Sequence, residues 1–385
     1  MATEKPSIML VAGEASGDMH AATIVNTLRE QGHDLHYKGM GGTQLRAAGI
    51  ELLVDSTEIA VMGIVEVIAH YPKIKRAMNL LKKEIVAAPP DLLILIDYQE
   101  FNFRLAEFAK KQGVKVLFYV SPQVWAWRPG RVKKIGQIID MMAVIFPFET
   151  RYYEAEGIPV RYVGHPLANK VKPLMPKDQA QSMFNINPTR PVITLMPGSR
   201  MSEVSRLLPI LIKTVSLIRK KIHDAQFVLP VAGNLNRQAI ETTVNDSRQP
   251  IVVVQGATYD AINVADHVIV ASGTATLEVA CLKKSMTVVY RISPVTYQLV
   301  KRLVKIPYVS LVNIVSQAEV VKEFIQDRAQ PYLIANDAVN LIEDQARQTT
   351  MQQQLAEVAN LLNQGDSAAN VAELALVMLS PSGST

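Results

Sequence analysis

Ten short apolar runs, five in each half of the chain, alternate with longer amphipathic stretches, and this alternation restricts the fold more than any other feature. In the first half the runs are SIMLVAG, LHYKGMGG, DLLILID, VKVLFYV and MMAVIF. In the second they are PVITLMPG, AQFVLPVAG, IVVVQG, HVIVASG and MTVVYR. Runs of this length separated by helical periodicity are the pattern of strands and crossover helices in a parallel sheet. The chain therefore reads as α/β, with two Rossmann-like domains in tandem. Parallel sheets take ligands beyond the C-terminal ends of their strands, so two of them facing each other would enclose a cleft where the chemistry happens.

A length of 385 residues exceeds what one core usually serves, and 49% hydrophobic residues is ample for two. Between the two sets of runs lies VGHPLANKVKPLMPKDQAQ, where Pro166, Pro173 and Pro176 interrupt any period. The linker is placed there. The expected division is residues 1–168, residues 169–349, and a C-terminal helical segment 350–385.

A single cysteine, Cys281, rules out an internal disulfide and argues against a cysteine metal cluster, as expected of a chain folded in a reducing compartment. Only Lys5 precedes an apolar run that stops at Gly13, too short for a secretory signal or a membrane span, so the protein is expected to stay inside the cell. The net charge of +5 is modest, but Lys73, Lys75, Arg76, Lys82 and Lys83 cluster, as do Lys301, Arg302 and Lys305. Such clusters suit either an anionic surface or plain solvation.

Four strand ends carry polar loops. TLMPGSRMSEVSRLLP, residues 194–209, offers close backbone approach at Gly198, a capping hydroxyl at Ser199 and a planar, permanently charged fork at Arg200, a set suited to a diphosphate. ASGTATLEVA, residues 271–280, adds Ser272, Gly273 and Thr274 at a second helix start, with Glu278 one turn in to accept from a ribose diol or simply to face solvent. Neither loop is a Walker or GxGxxG motif, and no Asp-x-Asp is present to hold a metal on a sugar nucleotide. A departing diphosphate must then be neutralised by protein cations, Arg200 first, and no metal or cofactor is expected.

The opposite chemistry marks the first half. VAGEASGD places Glu14 and Asp18 beside the turn formed by Gly13, Ser16 and Gly17, where carboxylates repel a phosphate but suit a neutral, hydroxyl-rich acceptor. The alternative is local: Ser16 caps the helix and Asp18 complements its dipole, leaving Glu14 without a role. Asp97 ends the buried run LLILID on the same rim; it either takes a proton from an attacking hydroxyl or caps the next helix. Glu14 joins it as a candidate catalytic acid. Trp125 and Trp127 in SPQVWAWRPGR share a face if the segment is extended, either against a substrate or in the core. His20 and His165 read first as structural. In the segment 59–85, Val61, Ile64, Val65 and Ile68 share one helical face, Ile74, Met78, Leu81 and Ile85 another, and Met62 adds to the apolar excess while Lys73 and Arg76 edge it. An interfacial membrane helix, an acyl pocket and ordinary helix-on-sheet packing all fit this pattern.

Through VAGEASGD, AVMGIVEV, YVSPQVWAWR, PFE, PGSRMSEV, ASGTATLE, KRLVK and YVSLVN, spread over nearly the whole length, the chain resembles the lipid-A-disaccharide synthases, bacterial glycosyltransferases of the two-Rossmann-domain (GT-B) class. The resemblance implies transfer of 2,3-diacylglucosamine from its UDP derivative to the 6-hydroxyl of 2,3-diacylglucosamine 1-phosphate, with UDP released. By position it implies Asp97 as general base, Arg200 as diphosphate ligand, Glu278 and Asn313 as nucleotide contacts, and 59–85 as a membrane-facing patch. It further implies that the first domain takes the acceptor, the second takes the UDP-sugar, and the C-terminal helices return to the first. The implied partners are the two lipid substrates and the anionic inner face of the inner membrane, not nucleic acid, for a peripheral cytoplasmic enzyme. The chain departs from the family pattern at Tyr98-Gln99-Glu100, where a proline and an aspartate are common, and at Asn169, where an acid is frequent. The competing readings are a UDP-sugar epimerase of the same fold and a two-lobed binding protein without turnover.

Overall fold

The computed structural model describes residues 5–58, 64–127, 129–303 and 306–380, with side chains undescribed at 64–70, 127, 129, 295, 299, 300 and 303. Val61, Met62 and Lys305 lie outside the described residues, and Ile64, Val65 and Ile68 are placed only as backbone of the helix Ile64–Ala87.

Two compact units form: Met1–Pro166 together with Gln364–Thr385, and Leu167–Asn363. Among its described residues the first carries a seven-stranded sheet of β1 (Ser7–Ala12), β2 (His36–Gly41), β3 (Glu51–Asp55), β4 (Leu92–Ile96), β5 (Lys115–Tyr119), β6 (Met141–Val144) and β7 (Val160–Tyr162). The second carries β8 (Val192–Met196), β9 (Gln226–Val231), β10 (Ile251–Gln255), β11 (His267–Ala271), β12 (Met286–Tyr290) and β13 (Glu323–Ile325). The orders are β3-β2-β1-β4-β5-β6-β7 and β10-β9-β8-β11-β12-β13, and the strand pairs are parallel. Each order reverses once, between β1 and β4 and between β8 and β11, the crevices where such sheets take ligands. All ten apolar runs form strands. The strands β3, β7 and β13, absent from the sequence reading, are short edge strands with charged or exposed residues, where neighbouring strands rather than apolar content decide the conformation.

Side-chain alternation along β1 shows how the first sheet is covered. Ile8, Leu10 and Ala12 point to one face with Leu92, Ile94 and Ile96 of β4, and meet the helices Ala15–Glu30 and Ser367–Leu379. Met9 and Val11 point to the other with Leu93 and Leu95, and meet Leu81 and Ile85 of Ile64–Ala87 and Leu105 and Ala109 of the helix Gln99–Lys111. Burial on both faces explains why the strands read as continuous apolar runs. In the second unit Ile193 and Leu195 pack on the helices Met201–Lys221 and Pro331–Glu343, while Val192 and Val228 meet Phe184 and Ala261 on the other face.

The C-terminal segment does not stay together. Gln345–Leu362 belongs to the second unit, where Met351, Leu355, Val358 and Leu362 are buried and the Met286 N–H donates to the Met351 sulfur at 3.4 Å. Only Ser367–Leu379 joins the first unit, its Val371, Ala372 and Ala375 completing the core over β1 and β4. Each helix buries its own apolar stripe against the unit it joins.

Candidate active site

Ala12 pairs with Ile96, so β1 and β4 end side by side and deliver Gly13-Glu14 and Asp97-Tyr98 to one rim. Asp97 and Tyr98 are consecutive non-glycine residues in the left-handed region, with φ of 48° and 44°. The turn is held from behind: the Asp97 N–H donates to the Tyr119 carbonyl at 3.0 Å, and fully buried Asn102 donates through Nδ2 to the carbonyls of Ile96 at 3.3 Å and Asp97 at 2.7 Å. Asn102 Oδ1 has no partner among the described residues. A Cβ on Gly13 would overlap the Tyr98 ring, which lies across the glycine backbone and packs on Phe101 at 5.3 Å between centroids. Burial, then the charge of Glu14, raises the Asp97 carboxyl above the ordinary carboxylate range, a suitable direction for a group that takes a proton near neutrality.

Glu14 and Asp97 line a cavity of about 510 Å³ whose other walls are Tyr71, Ile74 and Met78 of Ile64–Ala87 and Phe101 of Gln99–Lys111. One side of this cavity is acidic and another apolar. Ser16 and Gly17 are in the first turn of Ala15–Glu30, where Ser16 is exposed and makes no cap bond, and neither lines the cavity. Asp18 does not face a ligand. It is 3% exposed, and its carboxylate accepts from the backbone N–H groups of Gly42 at 2.7 Å, Gln44 at 2.9 Å and Leu45 at 3.2 Å. It thus caps the neighbouring helix Thr43–Ala47, a long-range role invisible in a local reading.

In the second unit Val270 pairs with Met196, and the loops after β8 and β11 bring Ser199, Arg200, Ser272, Gly273, Thr274 and Glu278 into one cavity of about 570 Å³. The sequence reading missed its other wall, Pro230–Gly233, Thr258 and Tyr259, supplied by the end of β9 with the turn after it and by the helix start that follows β10. Glycines after both strands, Gly233 and Gly256, were the available signal. Arg200 is the helix N-cap and its side chain is 70% exposed. The cap is made by Glu203, not Ser199: Glu203 Oε2 accepts from the N–H groups of Ser199 at 3.0 Å and Arg200 at 3.3 Å, while Arg200 Nη1 donates to Oε1 at 3.2 Å. A carboxylate thus sits on the donors an anion would use. Gly198 has φ 116°, and a Cβ there would overlap Glu203. Burial raises the Glu278 carboxyl, to which the Tyr259 hydroxyl donates at 3.4 Å.

Asn313 does not line this cavity. It is fully buried, donating to the Val321 carbonyl and Glu323 Oε1, both at 2.8 Å, and accepting from the N–H groups of Val320 and Val321. Its amide is spent on holding Glu323, which in turn accepts from Val309 and Ser310; the Val309 carbonyl accepts from Ser272 Oγ at 3.0 Å. Asn313 therefore reaches the cavity through Ser272, as a positioning group.

Trp125 turns inward. Val124–Trp127 is a helical turn, not an extended segment, so residues two apart do not share a face. The Trp125 indole donates to Glu149 Oε1 at 3.1 Å and packs edge-on to Phe148. Burial pushes the Glu149 carboxyl up to about 8 and, with the charge of His20, His165 down to about 4. Burial, then Glu278, raises the Cys281 thiol to about 11, which leaves it unreactive. Among the described residues no three His, Cys, Asp or Glu side chains converge as metal ligands, and no helix is long and apolar enough to cross a membrane. In the segment 59–85 Leu81 and Ile85 are buried, Ile74 and Met78 line the cavity, and Leu80, Lys73 and Arg76 are exposed.

Comparison with known proteins matches residues 8–376 to a family model described as lipid-A-disaccharide synthetase. The chain is 46% identical over 372 residues to the lipid-A-disaccharide synthase of Geobacter sulfurreducens, covering 97% of each. Among solved structures it is similar to a UDP-GlcNAc 2-epimerase from Neisseria meningitidis bound to UDP-GlcNAc, at 14% identity and TM-score 0.64 over 96% of this chain and 100% of that one. It is also similar to a calicheamicin glycosyltransferase, at 13% identity and TM-score 0.62 over 99% and 100%. Epimerases and transferases share this fold, so the fold alone does not choose between them.

Proposed function

The chain belongs to the lipid-A-disaccharide synthetase family and is a glycosyltransferase that makes the lipid A disaccharide; from this premise we propose that its donor is UDP-2,3-diacylglucosamine, its acceptor 2,3-diacylglucosamine 1-phosphate, and its product the β-1,6 disaccharide with UDP released. In this reading the acceptor 6-hydroxyl loses its proton to Asp97 as its oxygen attacks the anomeric carbon of the donor. The C1–O bond to UDP breaks in the same displacement, which inverts the anomeric centre. Charge developing on the diphosphate falls to Arg200, the Ser199 N–H and the start of the helix Thr274–Cys281. Glu278 accepts from the nucleotide ribose, and Glu14 favours the uncharged side of the acceptor over its phosphate. For that loop to receive UDP, the Glu203 carboxylate gives up the Ser199 N–H to the diphosphate.

The observation that carries the reading is the separation of chemistry. The loop bearing Arg200 opens on the more polar of these two cavities in one unit, while the raised carboxyl of Asp97 opens on a mainly apolar one in the other. The exposed Lys73 and Arg76 support a peripheral position on an anionic membrane surface, on its cytoplasmic side. The test mixes purified protein with both lipids in the presence of a chelator and follows the product by mass spectrometry. A disaccharide and UDP in equal amounts are expected. An epimerised donor with no joining, or a need for divalent metal, overturns the reading. Asp97→Ala and Arg200→Ala should each remove most turnover with the melting temperature kept; full activity in either takes that residue out of the mechanism.

A further inference from the structure

The cavity beside Asp97 also contains two cations that the proposed proton transfer does not use. Lys75 lies on Ile64–Ala87 one turn from Tyr71 and Met78, and Arg104 on Gln99–Lys111 one turn beyond Phe101. Neither makes a hydrogen bond or ion pair with another described residue. The other acid on this wall, Glu100, is held by Arg131 at 2.7 Å and so is turned to a partner outside the cavity. Lys75 is exposed like Lys73 and Arg76 on the same helix, but of the three it alone lines the cavity. Gln99–Lys111 begins at the cavity, and its cap residue Tyr98 gives no side-chain hydrogen bond to the first turn. The positive end of that helix therefore faces the same space.

We propose that Lys75 and Arg104 bind the anomeric phosphate of the acceptor and so fix which hydroxyl of its sugar meets Asp97. The proposal rests on the reading above. A phosphomonoester in this cavity meets a bidentate guanidinium and an ammonium, while the apolar wall of Ile74, Met78 and Phe101 takes the start of an acyl chain. With a rise of about 1.5 Å per residue, the Arg104 backbone sits about 7 Å along the helix from its first turn, and helical side chains lean back toward the N-terminus. That span matches a hexose lying between Asp97 at the mouth of the helix and Arg104 on its flank. With phosphate and acyl chains fixed, the 4- and 6-hydroxyls are the groups left, and the 6-hydroxyl, on its exocyclic carbon, is the one that extends beyond the ring toward the carboxylate.

The test compares two acceptors, 2,3-diacylglucosamine with and without its 1-phosphate, in micelles of an uncharged detergent. The wild-type protein should prefer the phosphorylated acceptor at least 30-fold in kcat/KM, a difference of about 2 kcal/mol. The Lys75→Gln/Arg104→Gln double variant should lose that preference, through a higher KM for the phosphorylated acceptor alone. Turnover of the unphosphorylated acceptor and KM for the donor should stay within threefold. Lys75→Arg and Arg104→Lys should retain most of the preference, and each single Gln variant gives the same readout should the double variant melt early. An unchanged preference in the folded variants, or a wild-type protein indifferent to the phosphate, overturns the proposal. A second arm uses phosphatidylglycerol vesicles. Loss of rate there with the micelle preference intact would assign the two cations to lipid headgroups and also overturn it. Absence of any disaccharide from the wild-type protein with either acceptor is a different result, and refutes the parent reading instead.

Discussion

Asn102→Ala removes the two side-chain donors that hold the Ile96 and Asp97 carbonyls, and with them the support behind the left-handed turn. A non-glycine residue in that region costs about 1–2 kcal/mol, so Asp97 and Tyr98 together store roughly 2–4 kcal/mol. Each lost bond contributes about 1 kcal/mol net, and each buried carbonyl left alone costs about 1–3 kcal/mol more. Against this, the variant also removes the buried, unpartnered Oδ1, a gain of similar size to one such penalty. Two bonds and two carbonyls come to about 4–8 kcal/mol, and less the roughly 1–3 kcal/mol returned by the Oδ1 the balance is a destabilisation of about 3–5 kcal/mol, or a melting temperature lower by roughly 6–20 °C for a unit of this size. Freed of its tether, the turn relaxes toward ordinary backbone angles and carries the Asp97 carboxyl with it. A displacement of about 1 Å at a reacting group costs on the order of 100-fold in rate. The assay is disaccharide formation at saturating donor, well below the melting temperature, with donor KM measured in parallel. A kcat about 100-fold lower and an unchanged donor KM are expected. A variant that melts early but keeps kcat within threefold refutes the argument, because the turn would then hold its shape unaided.

Glu14→Gln removes the second cause of the raised Asp97 carboxyl, so the acidic limb of the kcat/KM profile should move to lower pH; a limb that stays or moves up separates the two groups. Asp18→Ala strips the cap from Thr43–Ala47 and should cost about 3 kcal/mol in denaturant unfolding while kcat of the folded fraction stays near wild type, and a large loss of kcat would return Asp18 to the substrate. Glu149 is held protonated up to about 8 in the folded protein, against about 4.5 when unfolded, so the native state keeps a proton the unfolded chain has lost and stability falls as pH rises through this window. Buried His165 and His267, with folded values near 4, act in the opposite direction and only below about pH 6.5, and Lys284, lowered to about 8, acts only toward and above pH 8, so unfolding measured between about pH 6.5 and 7.5 reads chiefly the glutamic acid. Glu149→Gln should flatten that slope, and an unchanged slope would show that Glu149 is ionised in the fold.

The position of most candidate residues at strand ends was legible because glycine turns and polar side chains directly follow the apolar runs. Gly198, Arg200, Gly273, Glu278 and Asp97 all follow apolar runs, and the structure brings the first four into one cavity and Asp97 into another. Residues whose partners are distant in the chain were misread or missed. Asp18 looked like a ligand group until Gly42, Gln44 and Leu45 supplied its hydrogen bonds, and Asn313 until Val321 and Glu323 did. Asn102, Glu203 and Arg104 carried no signal beyond ordinary helix positions.

The two parallel sheets and the points where their strand order reverses were written in the spacing of apolar runs, since hydrophobic periodicity is a local property of the chain. The fate of each polar side chain was not. Whether a carboxylate faces a ligand or a buried row of N–H groups depends on which segments far away in sequence come to rest beside it. That choice is made by packing, when burial obliges every polar group to find a partner.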